Sequence, residues 1–411
     1  MVLFMPWQLS AFLASDRFGP DEQAALPPFL AGSGSKVGQA GTLPREWRLS
    51  RYANPGSVNR DDLEANLIPM DGLAGVTGAR HRMPSLLLRA ALAGSTISQV
   101  AYAYTQANVA SPFMYKNVDP IVFPGQYGVS HMHSFFGSDA VTASTNTSAE
   151  LQKGCTTADN PNDFSVYWVP SLLYTKDNGQ TYDYVPVMRF SAYYNLGETP
   201  AEIPIPQDVK MVAGSSSATT AADSPADAKV EWFCEGDDGG SADENGFPSS
   251  TCSTHLQTLL YFPQCVNQDT LETAYKSRSY GTDNWCPEGS KSMPQLRFSI
   301  RYDLRKVLPD GWSGTAPIKL ASGNAWSSHG DFIMGWTEDA AQNMVDATAA
   351  DYKYHYYAVD GKLGTAGTEP TCTATDADPD NGTSDYAESV KEMSKRSTPM
   401  GWTSRSRMAR A

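Results

Sequence analysis

The sequence predicts a mainly β fold, a single sandwich or jelly-roll-like domain with long loops, disulfides and a C-terminal helix. Three observations predict it. Short β-branched and aromatic runs alternate with turn clusters between residues 165 and 302. Six cysteines, all beyond residue 154 and none in a C-x-x-C pair, suit a disulfide-stapled scaffold. One stretch, after Thr337, has the composition of a helix.

Taken in order, Ser165 to Val169 and Ser171 to Tyr174 are β-prone runs either side of Pro170. That residue has no amide proton and marks a bulge or an edge. Asp177-Asn178-Gly179 then supplies a turn, since Asn and Gly tolerate positive φ. Tyr184 to Tyr194, Leu256 to Phe262 and Gln295 to Tyr302 continue the strand pattern. The last alternates apolar and polar side chains, as a half-buried strand does. Glu338 and Asp339 favour the positive end of the predicted helix, and Ala340 to Ala350 supplies its helix formers. The Ser-, Ala- and Gly-rich stretches 214–228 and 235–251 read as surface excursions. Proximity pairs Cys234 with Cys252 and Cys265 with Cys286 around such loops, which leaves Cys155 for Cys372.

Residues 1–82 carry no cysteine and no sustained periodicity, and read as a disordered or spurious extension. Residues 83–103 have the order of a signal peptide. Met83 to Arg89 is weakly basic, Ala90 to Val100 is mildly apolar, and Ala101-Tyr102-Ala103 is a small-x-small cleavage site. A genuine signal at Val2 to Met5, followed by a propeptide, is the other arrangement the residues allow. The β-rich domain then covers 104–372, and the polar residues 373–411 form a disordered tail. Asn146 and Asn381 stand in glycosylation sequons, in keeping with an extracellular, secreted protein. A net charge of -14 argues against nucleic acid, and no apolar run is long enough for a membrane span.

Two short motifs carry the candidate chemistry. In Ser130-His131-Met132-His133 the imidazoles share one side of an extended chain, and in Ser328-His329-Gly330-Asp331 so do His329 and Asp331. His131, His133, His329 and Asp331 are therefore the candidate catalytic set, and the three histidines suit zinc or copper. Asp119, Asp163, Tyr167, Trp168 and Trp336 are candidates for substrate binding, the aromatics because flat rings stack on sugars. No Gly-x-Ser-x-Gly elbow, phosphate-binding Gly loop or His-Glu-x-x-His is present.

These motifs together resemble a family of filamentous fungi and some bacteria known as domain of unknown function nineteen-ninety-six. The resemblance rests on Asp119-Pro120-Ile121-Val122 with Pro124-Gly125, on Ser130-His131-Met132-His133 and on Tyr167-Trp168-Val169-Pro170. Met211-Val212-Ala213-Gly214, Phe262-Pro263-Gln264-Cys265 and His329-Gly330-Asp331-Phe332-Ile333 follow in the same order. It implies an extracellular, disulfide-bonded protein associated with cell walls or biomass. The sequence departs from the family pattern where Val266 follows Cys265 and where Tyr275-Lys276-Ser277-Arg278 replaces a histidine-bearing run. The function expected from all this is a secreted carbohydrate-active or cell-wall-associated protein, a hydrolase or lyase acting on a polysaccharide or cell-wall glycan. The competing expectation is a non-catalytic polysaccharide-binding or structural protein.

Overall fold

The computed structural model describes residues 104–194, 200–237, 240–348, 356–367, 370 and 372–397. The extension and signal peptide expected at 1–103 lie outside the described residues. Two five-stranded antiparallel sheets form the frame. The first runs Thr105–Val109, Val187–Tyr194, Arg297–Tyr302, Leu256–Tyr261, Glu231–Cys234. The second runs Met114–Lys116, His133–Gly137, Val166–Pro170, His329–Ile333, Lys210–Gly214. The expected strands are therefore present with shifts of a few residues, and Pro170 ends its strand.

Register decides which residues share a face. Partners directly opposite in an antiparallel pair point the same way. Phe136 pairs with Tyr167, Tyr167 with Phe332, and Phe332 with Met211. This row faces the first sheet: Phe136 stacks on Phe190 at 4.3 Å between ring centroids, and Tyr167 meets Phe298 at 5.7 Å. The two sheets thus close a sandwich over one large aromatic core. The alternate residues face outward. Phe135 opposes Trp168, which opposes Asp331, while His133 lies two residues before Phe135 and His329 two before Asp331.

That outer face is itself covered. Trp168 stacks on Phe135 at 5.6 Å, and Val166, Ile333, Val141 and Leu151 complete a second apolar cluster. A sheet buried on both faces needs no polar alternation. This is why Val166–Pro170 and His329–Ile333 are buried at every position. Histidines and carboxyls in such strands are therefore conspicuous, and they are His133, His329 and Asp331.

Gly330 sets the spacing beneath them. A Cβ at this position would stand 2.5 Å from Leu260 Cδ2 and 2.8 Å from Phe298 Cε2 on the facing sheet. Gly330→Val is expected to destabilise the protein by about 1–3 kcal/mol through overpacking. A fall in the urea midpoint with unchanged slope is the measurement that checks it.

Three disulfides form: Cys234–Cys252, Cys265–Cys286 and Cys155–Cys372, with Cα separations of 5.0, 5.5 and 5.9 Å. They are the pairs expected from proximity. The helix after Thr337 is Glu338–Thr348. Among the described residues no helix is long and apolar enough to cross a membrane.

The segment after Cys372 corrects the expectation of a disordered tail. Residues 372–397 form a strap ending in the helix Tyr386–Ser397. Its anchor is Lys116, which is 4% exposed and whose ammonium needs a counterion once buried. Asp376 Oδ2 supplies it at 2.7 Å, and the Asp378 carbonyl accepts a further bond. Asn117 adds bonds to Glu392 (2.7 Å) and from the Thr383 amide (2.8 Å). These acids read as solvated in sequence because their partner lies some 260 positions away. Residues 398–411 lie outside the described residues.

Candidate metal centre

His133 opens its strand and His329 opens another, and the intervening strand Val166–Pro170 holds them at a fixed separation. His131 approaches from the chain just before His133. The Nε2 atoms of His131 and His329 are 3.1 Å apart, and those of His133 and His329 are 3.4 Å apart. One ring nitrogen from each of the three lies within 4.8 Å of the others. His133 and His329 are buried, while His131 is partly exposed and marks the solvent side.

Backbone carbonyls settle which nitrogen carries the proton. His133 Nδ1 is 2.9 Å from the Val118 carbonyl, and His329 Nδ1 is 2.9 Å from that of Ser327. A carbonyl only accepts, so both Nδ1 atoms must donate, and the neutral rings present Nε2 as a bare lone pair. The rings are neutral. Burial, then the charge of His329, lowers the His133 pKa to about 3, and burial lowers that of His329 to about 4. Burial, followed by His133 and His329, pushes His131 well below its ordinary value. A proton on His131 Nε2 satisfies the 3.1 Å contact, but the 3.4 Å contact then sets two lone pairs against each other. A cation between the rings resolves that repulsion.

Asp331 supplies a second, independent indication. Its carboxyl is fully buried, neither oxygen has a hydrogen-bond partner, and Oδ2 lies 4.0 Å from His329 Nε2. Burial, then the nearby Asp119, raises its pKa well above the ordinary carboxylate range. An unpartnered carboxyl costs about 1–3 kcal/mol when neutral and more when ionised. It sits where a positive charge would relieve it.

The geometry fits a first-row metal. Nitrogens bound at about 2.0–2.1 Å with tetrahedral angles stand about 3.3–3.4 Å apart, close to the two separations observed. Softness does not choose between zinc and copper with imidazole ligands. The carbonyls of Val118 and Ser327 act as the outer partners that fix ligand orientation. Asp331→Asn is expected to weaken zinc affinity about 10–100-fold without lowering the melting temperature of the metal-free protein. Titration calorimetry and thermal melts in chelator check both halves.

Of the other predicted residues, only Asp119 comes close enough to act on Asp331. Asp119 lies beside Val118, but its Oδ1 accepts from the Ile121 and Val122 amides (3.0 and 2.9 Å) and it is 3% exposed. Asp163, Tyr167, Trp168 and Trp336 are wholly buried, which corrects their assignment to substrate binding. Trp168 fills the outer cluster. The other three build an internal chain: Tyr167 donates to Asp163 at 2.5 Å, the Tyr167 and Tyr194 hydroxyls meet at 2.6 Å, and Trp336 donates to Tyr194 at 3.0 Å. Burial pushes the Asp163 pKa up to about 7. These side chains satisfy one another and leave no face for a sugar.

The family described as Domain of unknown function (DUF1996) matches residues 119–336 of this chain. The chain belongs to that family. The matched region carries all three histidines and Asp331. No curated protein and no solved structure matches the chain. Neither departure expected from the resemblance involves the three histidines or Asp331. Val266 is buried in a small sheet with Thr273–Ala274 and Lys291–Ser292. Arg278 lies over the Trp285 ring, 4.4 Å from its centre. The three-histidine site forms without either.

Proposed function

We propose that this member of the family is a secreted metalloprotein that acts on a polysaccharide or cell-wall glycan. His131, His133 and His329 hold a zinc or copper ion through Nε2, with Asp331 as a fourth donor or charge partner. The observation that carries the reading is the meeting of bare Nε2 lone pairs beside a buried, unpartnered carboxyl. A bound ion of this kind supplies Lewis acidity or a water of lowered pKa, the chemistry of a hydrolase or lyase. The protein's part is orientation. Val118 and Ser327 hold two rings in one tautomer, the apolar outer cluster keeps water from Asp331, and partly exposed His131 lies on the approach side. Three disulfides and the sequons at Asn146 and Asn381, both exposed, support the extracellular setting.

The test has two steps. Purified protein stripped with chelator is titrated with zinc and with copper, then assayed on wall polysaccharides with and without the ion. The reading expects one equivalent bound and glycan cleavage that returns with the ion. One equivalent bound with no cleavage of any glycan would retain the metal site and remove the enzyme. No binding would remove both.

A further inference from the structure

The aromatics that a sugar would be expected to meet are buried, and a groove on the surface offers another place where a glycan fits. A groove of about 360 Å³ lies between the turn after Tyr174 and the strand Ile318–Leu320. Its polar wall is formed by Asn178, Tyr182, Asn245, Thr315 and Lys319. No Asp or Glu lines it. The carboxylates that reach its lining residues are engaged in hydrogen bonds, Asp177 with Thr175, Asp243 with the Ala316 amide and Glu244 with Thr315.

Among the described residues, Lys319 is the one cation that lines the groove. Its ammonium stands 4.0 Å from the Tyr182 ring centre and 5.0 Å from that of Tyr386, so two aromatic faces hold it in place. No carboxylate lies within salt-bridge distance of it among the described residues. Aromatic faces fix a cation without neutralising it, which leaves its charge for a ligand. Asn178 and Asn245 line the same groove, and an asparagine side chain offers two donors and an acceptor. Paired donors and acceptors suit sugar hydroxyls, and the ammonium suits a carboxylate. The volume suits one or two sugar rings.

We infer that this groove binds an acidic saccharide, with the uronate carboxylate on Lys319 and neighbouring hydroxyls on Asn178 and Asn245. It is separate from the three-histidine site, none of whose residues lines it, and stands whether or not that site is catalytic.

The experiment is calorimetric titration of the full chain with trigalacturonate and with its methyl ester, which keeps the shape and removes the charge. Trigalacturonate is expected to bind, more weakly as salt rises, and the ester at least about tenfold more weakly. Lys319→Met is expected to cost the acid a similar factor and the ester little. Asn245→Asp, which puts a negative charge on the opposite wall without touching the Lys319 contacts, is expected to do the same. The affinity set by Lys319 is expected to be the same in chelator-stripped and in zinc-loaded protein, which separates this site from the metal centre. Equal affinity for acid and ester, indifference to both groove variants, or no binding of trigalacturonate would each overturn the proposal.

Discussion

His329→Ala is expected to lower zinc or copper affinity by at least about a hundredfold and to remove the stabilisation that the ion brings. The ring is central to the cluster: its Nε2 makes both short contacts, at 3.1 and 3.4 Å, and is the one nearest Asp331. Losing it leaves two imidazoles without a shared partner. For a protein that binds an ion only when folded, a free concentration a hundred times Kd adds about 2.7 kcal/mol of stability. At this size that is a rise of roughly 5–10 °C in melting temperature. The wild-type protein is expected to show this rise and His329→Ala none. His131→Ala, at the exposed side, is expected to lose affinity with less harm to the fold. A parallel rise in wild type and in His329→Ala would place the ion elsewhere.

Acid is expected to destabilise the metal-free protein from about pH 6.5 downward. The sign follows from protons bound. Unfolded histidines titrate near 6.5, whereas the folded pKa is about 3 for His133 and about 4 for His329. Between these limits the unfolded chain holds more protons, so stability is lost as pH is lowered, at up to about 1.4 kcal/mol per unit for each ring. His131, shifted the same way, adds to the slope. Asp331 works in the opposite direction. Its folded pKa is raised, so its penalty grows as pH climbs above 3.8. The metal-free protein is therefore squeezed from both sides, and a bound ion, by holding Asp331 ionised, relieves the loss on the alkaline side. Urea titrations from pH 4 to 8 check this, with and without zinc. Both curves should fall below 6.5, because the protons taken up belong to the unfolded chain, and above 6.5 the zinc-bound curve should stay flatter than the metal-free one.

Much of this was legible in the sequence because the informative signals are local. Period two puts His329 and Asp331 on one side of a strand, and does the same for His131 and His133 where that chain is extended. The alternating run ending at Tyr302 and the Asp-Asn-Gly turn announce strands and a reversal in the same way. What composition does not carry is which face of a strand is covered. Tyr167 and Trp168 are adjacent, so they point to opposite faces, and both faces are buried. A sequence reading that expects one face to meet water offers one of them to a ligand, and the double burial of this sheet defeats it. The Val118 and Ser327 carbonyls were out of reach for another reason. Every residue has a carbonyl, and only the fold decides which two meet an imidazole. The same holds for the strap, where a buried lysine and an acid far along the chain each look solvated alone.

Anomalous diffraction shows directly whether the three Nε2 atoms and Asp331 form a cation site. Crystals of chelator-treated protein, equilibrated with one equivalent of zinc, are measured on both sides of the zinc absorption edge. A single peak is expected within about 2.0–2.1 Å of Nε2 of His131, His133 and His329, with an Asp331 oxygen bound or facing it. No peak between the rings, or zinc found only at surface carboxylates while the rings stay empty, would contradict it.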